Sequence, residues 1–81
     1  MEKRLAMMAI AVSNSKSIMD LNALLHEYGS IIIGRMGIPN HAKGVNLISV
    51  ALDATNDEIS SLSGKIGQLD GITVKTVYAE I

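Results

Sequence analysis

Ile18, Leu21 and Leu25 recur as Ile59, Leu62 and Ile66, each displaced by 41 positions (18 to 59, 21 to 62, 25 to 66). Each set is spaced for one face of an α-helix. The chain therefore holds two amphipathic helices at equivalent places in two similar halves. With 81 residues in all, each half has room for one helix between two strands and little else.

The flanking segments supply those strands. Arg4 to Val12 is apolar on both parities, with Leu5, Met7, Ala9 and Ala11 on one and Ala6, Met8, Ile10 and Val12 on the other. Such a run reads as a strand covered on both faces. Asn14 or Ser15 can cap the helix that follows through a side-chain oxygen. That helix runs through Ile18, Leu21, Leu24, Leu25 and Tyr28, and Gly29 is expected to end it in the left-handed conformation. Ser30 to Ile38 returns to strand chemistry, broken by Gly34 and Gly37 and stopped by Pro39. Val45 to Leu52 is the third strand. Thr55 and Glu58 have the spacing of a capping box at the start of the second helix, which closes near Gly67. Ile72, Val74, Thr76 and Tyr78 alternate in a last strand from Ile72 to Glu80.

The order is β-α-β-β-α-β, an α+β domain spanning residues 1–81. Two interlocked right-handed β-α-β halves make a ferredoxin-like fold, one four-stranded antiparallel sheet with both helices on one face. The other face has no covering element of its own. Since the first and third strands are apolar on both parities, a dimer or tetramer is expected to cover it.

Composition excludes several activities that use this topology. Phe and Trp are absent and Tyr occurs twice, so there is no aromatic platform on which RNA bases stack. Without cysteine there are no iron–sulfur clusters, thiolate metal sites or cysteine nucleophiles. Seven basic and eight acidic residues leave a net charge of −1. No basic field is available for duplex DNA or an anionic membrane. Gly64-Lys65-Ile66-Gly67 has the GxxG form of a KH domain, but it reads as a helix C-terminus punctuated by glycine. It is not a phosphate loop either, since Ile66 replaces the magnesium-binding hydroxyl.

The N-terminus has the order of a signal peptide: Lys3-Arg4, an apolar stretch from Leu5 to Val12, and Ala9-Ile10-Ala11 as a small-x-small site. Cleavage there would remove the first strand, and the run is far below a membrane span. The chain is read as cytoplasmic.

Ionisable residues form no catalytic set. Asp53, Asp57 and Glu58 are expected together at the start of the second helix, complementing its dipole. His26 and His41 are too few for the usual three or four ligands of a transition metal, though the pair can combine across a subunit interface. Ile33-Gly34-Arg35-Met36-Gly37-Ile38-Pro39 is the most informative stretch. Glycine within a strand marks a bulge or a close backbone approach, and Arg35 between two glycines can offer its guanidinium fork to a carboxylate or phosphate.

Taken together, Leu25-His26-Glu27-Tyr28-Gly29, Ile33 to Pro39, Gly64-Lys65-Ile66-Gly67, Gly71 and Val74-Lys75 resemble a family of small stand-alone ACT-like proteins assigned to regulation of the iron-only hydrogenase system. The resemblance spans nearly the whole chain. It implies an ACT-like ferredoxin fold and an oligomer. ACT domains bind small effectors near their first strand–helix loop, which here is Ser13-Asn14-Ser15-Lys16-Ser17. Asn14 matches the polar position of that loop, and the Pro-Gly usual after it is absent. The expected protein is a non-enzymatic regulatory homo-oligomer without a cofactor, binding a small effector or a partner protein near Asn14, Ser15, Arg35 and Gly37. The alternative is a metal-binding or metal-sensing protein using His26 and His41.

Overall fold

A computed structural model describes residues 2–39 and 42–80. Strand β1 (Lys3–Val12) leads through a 3₁₀ turn (Ser15–Ser17) into helix α1 (Ile18–Glu27). A second 3₁₀ turn (Gly29–Ile31) precedes β2 (Ile32–Ile38). Then come β3 (Asn46–Thr55), helix α2 (Asn56–Gly67) and β4 (Ile72–Tyr78). The strands lie in the order β2-β3-β1-β4, and each neighbouring pair is antiparallel. This is the β-α-β-β-α-β fold expected from the sequence.

Strand parity sets the layers. Ala6, Met8, Ile10 and Val12 of β1 and Val50, Leu52 and Ala54 of β3 are buried beneath the helices. Leu21 and Leu25 of α1 and Ile59, Leu62 and Ile66 of α2 close over them. These are the repeated positions found in the sequence. Among the described residues, no helix is long and apolar enough to cross a membrane.

The structure corrects four local expectations. Gly29 is not left-handed, for the positive φ angles belong to Gly44 and Gly71. Helix α1 instead tightens after Glu27 into the Gly29–Ile31 turn, where Ile31 N–H donates to Tyr28 O at 3.1 Å. The reason is burial: the turn drives Ile31, a residue expected in the strand, into the core. Strand β3 continues past Leu52 to Thr55, pairing Asp53, Ala54 and Thr55 with Leu5, Arg4 and Lys3. That extension places Ala54 under the helices and separates Asp53 from Asp57 and Glu58, so the acidic trio is divided between a strand and a helix. Strand β4 stops at Tyr78, two residues short.

The Thr55–Glu58 capping box forms as its spacing requires. Glu58 N–H donates to Thr55 Oγ1 at 3.2 Å, and Thr55 N–H donates to Glu58 Oε1 at 2.9 Å. The bond from Thr55 holds the Glu58 carboxyl below its ordinary pKa of 4.5. A lowered folded-state pKa means that this stabilisation is fully present above pH 4.5 and is lost as pH falls through the folded-state value. Thr55→Ala is expected to cost about 1 kcal/mol and to flatten the acid limb of a stability–pH curve measured by urea denaturation.

Candidate functional site

The four candidate ligand residues fall into two places. Asn14 and Ser15 sit in the loop between β1 and α1, which is tied to the turn before β4. Asn14 Nδ2 donates to Asp70 Oδ2 at 2.8 Å, and its Oδ1 accepts from Lys16 N–H at 3.0 Å. Ser13 Oγ donates to Gly71 O at 2.9 Å and buried Ser17 Oγ to Asp70 O at 2.6 Å. Asn14 thus caps the 3₁₀ turn before α1 rather than α1 itself, whose N-cap is Ser17, while holding the turn that precedes β4. Ser15 is exposed at the start of that turn.

Arg35 and Gly37 lie together on edge strand β2. Their register opposite Val50 and Ile48 turns both toward the helix side. The register slips between Ile32 and Gly34, so the glycine signal does mark a bulge. It does not mark a close approach, since a Cβ added at Gly34 would meet nothing within 4 Å. At Gly37 it would meet only Ile48 Cγ1 at 3.9 Å and Leu47 O at 4.0 Å. The space beside these glycines is open.

Arg35 Nη2 donates to Asn22 Oδ1 of α1 at 3.1 Å. The two side chains divide the rim between α1 and β2 into two clefts. One measures about 410 Å³, beside Leu25, His26, Gly29 and Ile32, and the other about 280 Å³, beside Ile18, Gly37, Pro39 and Ile48. Among the described residues no carboxylate lines either cleft. Asn14 and Ser15 line neither. Asn22 was not singled out in the sequence; its position four residues before His26 is the signal that puts both on one helix face.

The described residues contain no group of three or more His, Cys, Asp or Glu able to hold a metal ion. His41 lies outside the described residues, so of the candidate histidine pair only His26 is placed. A further polar contact joins the helices: Tyr28 Oη lies 3.0 Å from Ser61 Oγ, with Lys65 Nζ 5.2 Å from the ring centroid. Hydrogen bonding from Lys65, then from Ser61, lowers the Tyr28 pKa, and the same contact raises that of Lys65.

The open sheet face is the other notable surface. Leu5, Met7, Ile33, Met36, Ile38, Leu47 and Val77 are all exposed there. A groove of about 380 Å³ crosses it between Ala9, Met36, Ile38, Leu47 and Lys75.

Residues 4–76 match the family model described as "TM1266-like: Iron-only hydrogenase system regulator, putative". The structure is similar to that of TM1266 from Thermotoga maritima, with 38% identity and a TM-score of 0.92, over 98% of this chain and 100% of that one. It is similar to the ACT domain of the GTP pyrophosphokinase from Chlorobium tepidum, with 17% identity and a TM-score of 0.75, over 93% and 99% of the two chains. CPII, a nitrogen regulatory PII-like protein from Thiomonas intermedia K12, shares the fold at 14% identity and a TM-score of 0.53, over 99% and 100%. No curated protein matches the sequence. With the family match covering most of the domain and the Thermotoga relative covering nearly all of it, this ACT-like chain belongs to the TM1266-like family.

Proposed function

We propose that this protein is a non-enzymatic, cytoplasmic regulatory module of the iron-only hydrogenase system, acting as a homo-oligomer that responds to a small effector or a partner protein. The observation that carries the reading is the open sheet face. Seven large apolar side chains stand exposed on one side of a sheet whose other side is covered by the two helices over β1 and β3. Monomers rarely expose contiguous apolar patches beyond a few hundred Å². A second copy of the chain covers this surface with a matching one, as symmetric association requires. With no basic field, action on a gene runs through a partner rather than through direct DNA contact.

A thermal-shift screen over organic acids, nucleotides, amino acids and divalent metals tests the reading. A ligand at 100 times its Kd adds about 2.7 kcal/mol, which raises the Tm of a domain this size by about 15 °C. One selective class with such a shift, and no turnover of it, is the expected result. Turnover of a ligand contradicts the non-enzymatic reading. Zn²⁺ and Ni²⁺ are expected to bind weakly, with little change in His26→Ala or His41→Ala. A tight, stoichiometric and histidine-dependent site by calorimetry establishes the metal-sensing alternative instead.

A further inference from the structure

Arg35 carries a positive charge with no carboxylate beside it in either cleft among the described residues. Its hydrogen-bond partner, Asn22 Oδ1, is a neutral acceptor, and no acidic residue among those described lines the clefts on either side. Engaging Nη2 with Asn22 fixes the plane of the guanidinium and leaves further N–H donors free for an oxyanion. With its Oδ1 occupied by Arg35, the Asn22 side chain has only its amide N–H₂ left to offer as donors. His26, four residues on, lines the same cleft. Three side chains with donor capacity thus converge on one rim.

The second cleft differs in character. Ile18, Ile38, Pro39 and Ile48 give it an apolar lining, and Gly37 keeps it open because no side chain projects from β2 at that point. A donor rim joined to an apolar pocket fits an anionic head with a small apolar body. The absence of a carboxylate from the described lining argues against an ammonium group on the same ligand.

We infer that the rim between α1 and β2 binds a small organic oxyanion, its carboxylate or phosphate head held by Arg35, Asn22 and His26 and its apolar body seated beside Gly37. This rests on the regulatory reading above and names the effector class for it.

Calorimetry with 4-methyl-2-oxopentanoate, leucine and inorganic phosphate tests the inference. The oxo acid is expected to bind, and leucine, with the same body plus an ammonium, at least tenfold more weakly. Phosphate alone separates a head-driven site from one that needs the apolar body, and is expected to bind more weakly than the oxo acid. Arg35→Ala and Gly37→Val should each weaken the oxo acid at least tenfold, the first by removing the fork and the second by filling the pocket. Neither position is buried, and Gly37 has an ordinary φ, so both variants should keep the wild-type circular dichroism spectrum. No binding of the oxo acid, stronger binding of leucine or of phosphate, or affinity unchanged in both variants overturns the inference. The oligomer and any effector bound elsewhere are independent of those results, so the regulatory reading is judged separately by the thermal-shift screen.

Discussion

Gly71→Ala is expected to destabilise the fold by about 3 kcal/mol, a large share of what a domain this small has to lose. Two effects combine. Gly71 has φ +71°, a conformation that costs an L-residue roughly 1–2 kcal/mol. An added Cβ would also stand 2.6 Å from Asn14 Cβ and 3.0 Å from Asn14 N. Asn14 cannot retreat freely, since its amide is held by Asp70 and Gly71 O accepts from both Ser13 N–H and Ser13 Oγ. Gly44→Ala separates the two contributions. Gly44 has φ +74° but nothing within 4 Å of a new Cβ, so only the conformational cost of about 1–2 kcal/mol is expected there. Urea denaturation of both variants checks the difference. Equal losses mean that the contact with Asn14 relaxes without cost.

Met7→Asp is expected to separate the oligomer into 8.6 kDa subunits. Met7 is half exposed on the open sheet face, paired with Val77 across β1 and β4. Placing a carboxylate at the centre of an apolar interface leaves a buried charge without a partner. At about 3 kcal/mol, this raises the dissociation constant roughly a hundredfold. The monomer itself keeps its fold, because the helix-side residues Ala6 and Met8 are untouched. Met19→Asp is the control: Met19 is 81% exposed but lies on α1, away from the sheet face, and its substitution should leave the mass unchanged. Sedimentation velocity on the two variants reads the contrast directly. If Met7→Asp retains the wild-type mass, the association uses a different surface.

The layers of this fold were legible because parity and helical spacing are local patterns. The two apolar sets of β1, the repeated helix stripes and the Thr55–Glu58 cap each declare themselves within about ten residues. What sequence reasoning missed depends on distant packing. Ile31 leaves its strand because the core beneath α1 has room for it, and β3 reaches Thr55 because Ala54 fits under the helices. The candidate site was half legible. Arg35 and Gly37 stand out by their glycine spacing, whereas Asn22 matters only once α1 lies beside β2, 13 positions away. Asn14 drew notice as a polar loop residue. Its bond to Asp70, 56 positions along the chain, could not be read from either segment alone.

The central claim is that the open face of the sheet is closed by further copies of the chain. Light scattering coupled to size exclusion, on the wild-type protein at micromolar concentration, tests it most directly. A dimer or tetramer is the predicted result, whereas a stable, well-folded particle of 8.6 kDa would contradict the account.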